Sequence, residues 1–153
     1  MKATSLSDLL SFEKHFEDSS ISFLSTATGI PAFPATGGDF LITPRLEVLF
    51  SSSGAELPYD QNGEFLKYNA SFEVGIVTDF ALEQDREIHL GIVGSVRKEL
   101  LQCSDNWNFT NLPYYSVKLL RPNATMREVD GEIQRTILSF EIKFRIKEEA
   151  FPG

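Results

Sequence analysis

Gln134-Arg135-Thr136-Ile137-Leu138-Ser139-Phe140-Glu141-Ile142-Lys143-Phe144-Arg145-Ile146-Lys147 is the most regular stretch of the chain. Thr136, Leu138, Phe140, Ile142, Phe144 and Ile146 alternate with charged and polar residues, which is the period-two signature of a strand with one buried face. A strand over 133–147 at ~3.3 Å per residue would span about 45–50 Å, against ~17–20 Å for a usual strand. It must bend, or reach past its own core to a neighbour. The same period recurs upstream. Tyr68, Ala70, Phe72, Val74, Ile76 and Thr78 fall on one face, with Lys67, Asn69, Ser71 and Glu73 on the other. Phe40, Ile42, Leu46, Val48 and Phe50 form an earlier run, whose Pro44 places the start of pairing after it or at a sheet edge.

Two helices stand between these strands. Leu6, Leu9, Leu10, Glu13 and Phe16 follow the i, i+3, i+4 spacing of a short amphipathic helix over 5–17, with Ser5 or Ser7 as its N-cap and weaker helical character over 18–28. Gly29 to Gly38, with two prolines and three glycines, predicts a loop. The second helix is expected over about 85–102, burying Ile88, Ile92, Val96 and Leu100. Its acidic residues fall in the first turn, and Arg97 and Lys98 lie near its end. Gly91 and Gly94 weaken it and are expected to pack closely on a sheet. A short strand at 114–120 follows, then a polar loop from Arg121 to Glu132 that turns at Asp130-Gly131. The order α-β-β-α-β-β predicts an α+β domain spanning 1–153, an antiparallel sheet of about four long strands with helices on one face. A doubly wound parallel sheet does not fit this order.

Composition narrows the function. The chain has 153 residues, 42% hydrophobic and 24% charged, close to soluble globular averages. Thirteen phenylalanines against one tryptophan and four tyrosines imply a large apolar core or interface. The net charge of −8 argues against wrapping duplex DNA, because phosphate neutralisation needs a basic surplus. It also suits a channel through which DNA slides without sticking. A single cysteine excludes an internal disulfide and fits a reducing compartment. No apolar run approaches a membrane span, the N-terminal segment lacks the apolar region of a signal peptide, and the sequons at Asn69, Asn108 and Asn123 read as chance.

Chemistry-bearing patterns are sparse. His15 and His89 are far apart, and neither pairs with a second ligand at helical spacing, so a zinc site is not expected. Cys103 ends a helix without a base nearby in sequence and reads as a structural thiol. Asp130 followed by Glu141-Ile142-Lys143 matches the D…ExK pattern in which acidic residues hold Mg²⁺ and a lysine helps activate water. This Mg-dependent nuclease is one alternative reading, and another self-assembling binding domain of similar architecture is the other. The simpler reading of these residues is a solvated strand face, since Arg135, Arg145 and Lys147 share it.

Four segments together resemble the tail-terminator group of small neck and tail-completion proteins of long-tailed bacteriophages. They are the Pro-rich loop feeding Thr43-Pro44-Arg45-Leu46-Glu47-Val48, the strand Ser71-Phe72-Glu73-Val74-Gly75-Ile76-Val77-Thr78, the helix at 85–102, and Arg135-Thr136-Ile137-Leu138-Ser139-Phe140-Glu141-Ile142. Ala150-Phe151-Pro152-Gly153 is similar to the tails of that group. The likeness covers most of residues 5–153 and is one of pattern and element order. It implies a non-enzymatic virion protein without a cofactor, assembled in the host cytoplasm. Such a protein forms a hexameric homo-oligomeric ring at the head-proximal end of the tail tube. Its implied partners are the tail tube protein and the head–tail connector proteins, with DNA passing through the lumen without specific binding and no membrane involved. On that reading the polar face of the last strand, Arg135, Glu141, Lys143, Arg145 and Lys147, is the candidate subunit or tail interface. The loop at 51–67 and the Asn-rich segment at 104–113 match no known pattern.

Overall fold

The computed structural model describes residues 6–35, 42–52, 65–103, 107 and 115–147. The elements run α1 (Leu6–Thr28), β1 (Ala32–Pro34), β2 (Arg45–Ser52), β3 (Phe65–Asp79), α2 (Gln84–Gln102), β4 (Tyr115–Asp130) and β5 (Ile133–Lys147). They build an α+β fold around one five-stranded sheet in the order β1-β2-β3-β5-β4. The expected purely antiparallel sheet of four strands is therefore corrected. β1, which falls in the segment read as a loop, pairs parallel with β2, Ala32 opposite Leu46 and Pro34 opposite Val48. Only three residues long and flanked by proline, it sits where proline is tolerated, at the sheet edge.

The overlong last strand is real, but β5 is interior. It is paired along its whole length to β3, from Phe65↔Lys147 to Asp79↔Ile133, and on its other side to β4. It therefore has no free edge to offer a neighbour. The outer strand on this side is β4, which continues to Asp130 where a loop was expected from Arg121. Its polar composition hid it. Beyond Val117 and the half-buried Leu119, the described β4 side chains are exposed on both faces, so nothing imposes apolar alternation. Two register irregularities, between Leu119 and Arg121 and between Pro122 and Thr125, absorb the proline. Gly131, at φ 62°, makes the tight return into β5.

α1 is a single helix rather than a short one with a weak continuation. Its serines bond back to helix carbonyls, Ser19 to His15 at 2.7 Å and Ser20 to Glu17 at 2.8 Å, so their polarity does not interrupt it. Gly29, at φ 72°, ends it and donates to the Ser25 carbonyl. Phe16 and Leu24 are fully buried. Phe16 packs edge-on against Phe50, Phe72 and Phe144, with ring centroids 5.5, 5.5 and 4.9 Å away.

The even-numbered face of the sheet is the core, as the alternation predicts. Leu46, Val48, Phe72, Val74, Ile76, Leu138, Phe140, Ile142 and Phe144 are all buried. Trp107, in the Asn-rich segment, completes this core. It stacks edge-on with Phe72 and Phe140, and its indole N–H donates to the Leu100 carbonyl at the end of α2.

α2 is turned relative to expectation. His89, Val93, Val96 and Leu100 face the sheet, Ile92 is only partly buried, and Ile88 is 54% exposed. Gly91 and Gly94 lie on the open side, where an added Cβ would meet nothing within 4 Å. The rotation is set by a polar latch. The His89 ring is fully buried, with Nδ1 2.8 Å from Thr78 Oγ1 on β3 and Nε2 2.7 Å from Thr136 Oγ1 on β5. Beside it the buried Gln134 amide donates to the Asp79 and Asp85 carbonyls and accepts from Arg127. In either tautomer one ring nitrogen donates and the other accepts, and a threonine hydroxyl can do both. The latch therefore leaves no ring nitrogen unsatisfied.

These contacts set two expectations. Phe16→Ala and Phe140→Ala should each cost about 3–5 kcal/mol in urea unfolding, whereas Lys143→Ala on the open face should cost under ~0.5 kcal/mol. Equal, mild losses would refute the face assignment. The second concerns pH. Burial holds the His89 imidazole below its usual range, and the Arg127 charge lowers it further. The unfolded chain then binds the proton more tightly than the fold does. Stability from neutral His89 is present above about pH 6.5 and drains as pH falls below it. The urea midpoint should drop between about pH 7.5 and 5.5, and drop less in His89→Gln. An identical drop in both proteins would exclude His89 as the source.

Candidate assembly surface

The residues singled out as an interface lie on β5, and the side chains of Arg135, Glu141, Lys143 and Arg145 point away from the helices. Arg135, Glu141, Lys143 and Arg145 occupy the odd-numbered positions of that strand, and Lys147 follows at the same parity. Glu141 is held by Arg121 of β4 at 2.6 Å. Arg135 is clamped by Glu47 of β2 at 3.2 Å and Glu128 of β4 at 3.7 Å, and Arg45 reaches Glu47 from the other side at 3.4 Å. Lys143 and Arg145 are exposed. The five residues are thus not one patch. Arg135 belongs to a cross-strand ion-pair network at one end of the strand, and Lys143 and Arg145 belong to the other end.

A shallow hollow of about 240 Å³ lies over that network, lined by Glu47, Leu49, Glu73, Gly75, Arg135 and Ile137, with Ala35 at its rim. Gly75 opens it, since the residue opposite Glu47 and Ile137 brings no side chain. Ser139 donates to Glu73 across β3 and β5 at 3.4 Å. The lining is a mix of paired charges and aliphatic groups.

The D…ExK constellation is not assembled. Asp130 lies across from Ile133, whereas Glu141 sits eight residues further along β5. That separation is about 26 Å at strand rise, too far for one metal ion. Cys103 packs partly against the core. Burial, with the Glu99 carboxylate nearby, pushes its thiol above the usual range, the opposite of an activated nucleophile.

The two edges of the sheet differ. On the β2 side, β1 pairs as far as Val48, and Ala35 donates to the Val48 carbonyl at 2.9 Å. Where β1 ends, Glu17 of α1 takes over and accepts the Phe50 N–H at 3.3 Å. Burial raises the affinity of that carboxylate for a proton, partly opposed by the same hydrogen bond. The β4 side is covered at its start, where the Trp107 N–H donates to the Val117 carbonyl at 2.6 Å, and among the described residues no backbone partner is seen on its outer side beyond that point. Its ladder pairing is inward, to β5. Leu120, Met126 and Val129 along it are 44%, 55% and 49% exposed. This edge was not legible from the sequence, where 121–132 reads as a polar loop; the signal that could have found it is the partner length of β5, which needs a second strand as long as itself.

No family model matches the chain, and no curated protein matches it. Among solved structures, it is similar to a chain of a structure described as the virion of native gene transfer agent (GTA) particle. The two are 12% identical with a TM-score of 0.49, over 80% of this chain and 84% of that one. A likeness of that degree carries no functional assignment.

Proposed function

We propose that this chain is a structural subunit of the bacteriophage tail-terminator type. It closes with copies of itself into a ring, a hexamer by the family pattern, on the head-proximal end of a tail tube, and joins the tail to the head connector. The observation that carries this reading is the β4 edge. A monomer normally covers or charges an edge of such length, because unpaired N–H and C=O groups template further strands. Here the opposite edge is closed by β1 and Glu17, while β4, capped by Trp107 only at Val117 among the described residues, keeps Leu120, Met126 and Val129 exposed between its charged residues. Such an edge is suited to an adjoining subunit that adds backbone pairing or apolar cover.

The rest of the chain supports the same role. The resemblance in the strand and helix motifs points to it, and the D…ExK residues stand too far apart to favour the nuclease. The acidic balance of −8 suits a lumen that DNA crosses without adhering.

The test uses the intact protein, alone at high concentration and with isolated tail tubes, read by mass photometry and negative-stain microscopy. Discrete ring-sized particles are expected. The double variant Met126→Glu, Val129→Lys should lose them while its unfolding free energy stays within about 1 kcal/mol of the parent, as for paired exposed substitutions. A strict monomer that also fails to bind tail tubes would overturn the reading.

A further inference from the structure

Charge on the open face is sorted by position along the strands. At the end where β5 finishes and β4 begins, Lys118 and Lys143 are directly opposed Cα partners, with Arg145 two residues on and Arg121 opposite Glu141. Glu141, already paired to Arg121, is the acidic residue among these described positions. Glu64, Glu148 and Glu149, the next acids in sequence, lie outside the described residues. At the far end, about 30 Å away at strand rise, the sign reverses. Asp79 and Asp130 flank Ile133 from β3 and β4, and Glu132 follows Gly131 at the turn. The cations near that end are engaged, Arg127 with Gln134 and Arg135 with Glu47 and Glu128.

Like charges directly opposed across strands destabilise a sheet. Lys118 beside Lys143 is such a pair, and an anionic partner would relieve it. Nucleic acid is the less fitting anion, because a chain of net charge −8 repels a polyanion beyond the patch itself. The fitting anion is carried by the chain, at the opposite end of the same sheet.

Resting on the ring reading above, we infer that the basic end of one subunit's sheet, at Lys118 and Lys143, seats against the acidic end of a second copy, at Asp130 and Glu132. A closed ring needs a heterologous contact, two different and complementary patches on each subunit. The polarised sheet supplies both. The apolar β4 edge provides contact area, and the charged ends set which way round the neighbour sits.

The experiment reverses each end in the full-length protein. Lys118→Glu, Lys143→Glu puts carboxylates at the seat of the basic end, and Asp130→Lys, Glu132→Lys puts ammonium groups at the seat of the acidic end. Circular dichroism and urea unfolding verify that each folds. Mass photometry across a salt series should show assembly of either variant weakened roughly tenfold or more. An equimolar mixture should assemble again, because the swapped ends are mutually complementary. Should both folded variants assemble as the parent does, or their mixture fail to recover, the head-to-tail contact is wrong while the ring reading stands. A parent monomeric at every concentration and salt, with and without tail tubes, overturns the ring reading and this contact with it. Fluorescence anisotropy with a duplex oligonucleotide covers the remaining anion. Binding at physiological salt that the Lys118→Glu, Lys143→Glu change abolishes, with assembly intact, would make the patch a DNA contact and overturn the inference.

Discussion

The register between β3 and β5 is the constraint on which the rest depends. The two strands, fifteen residues each, pair without a bulge from Phe65↔Lys147 to Asp79↔Ile133. Because side chains alternate, a slip of one residue would carry Phe72, Val74, Leu138 and Phe140 to the open face together. What fixes the register is apolar on one side and polar on the other. Phe72 opposite Phe140 is locked beneath Trp107 and Phe16, while Thr78 and Thr136 sit diagonally, two positions apart in the ladder, and each turns a hydroxyl toward the same side chain. That side chain is His89. The helix is therefore oriented by a polar group that is costly to bury unpaired, not by its widest apolar stripe.

That inversion explains where the sequence was legible and where it was not. β3 and β5 could be read because each buries one full face, which stamps a period of two on the residues. α2 could be located but not oriented. Ile88-Ile92-Val96 and His89-Val93-Val96 are equally good helical stripes, and hydropathy ranks isoleucine above histidine, yet the hydrogen bonds from Thr78 and Thr136 reverse the choice. β1 is held by the Leu46 and Ala35 N–H bonds on a proline-rich segment, a tertiary effect without local pattern. Trp107 was readable only as a lone large apolar residue in a polar run. Its burial depends on the Leu100 carbonyl and on Phe72 and Phe140 arriving from other elements.

The candidate surface shows the same divide. The alternation of β5 placed Glu141, Lys143 and Arg145 on the open face correctly, because parity along one strand is local information. It could not reveal that Lys118 comes to lie beside Lys143, or that Arg135 is held by Glu47 and Glu128. Those pairings depend on a β4 that sequence reading ends ten residues too early, at 120 rather than 130. A polar edge strand looks like a loop until its partner is known.

The treatment of the two edges bears on why β4 remains open. A helix carboxylate committed to the Phe50 N–H is an expensive cap, since Glu17 gives up solvation to make it. Spending a charged group on one edge while leaving a longer edge with exposed Leu120, Met126 and Val129 is not what avoidance of aggregation alone would produce. β4 is not unguarded, however. Pro122 removes one donor, and the irregularities on either side of it add local twist, so a flat, indefinitely repeating partner cannot pair through the whole strand. An edge interrupted in this way still accepts a neighbour over part of its length. It disfavours continuous fibril-like stacking and permits a contact of limited extent and definite angle. A fixed angle between successive copies is what separates a closed ring from an open filament.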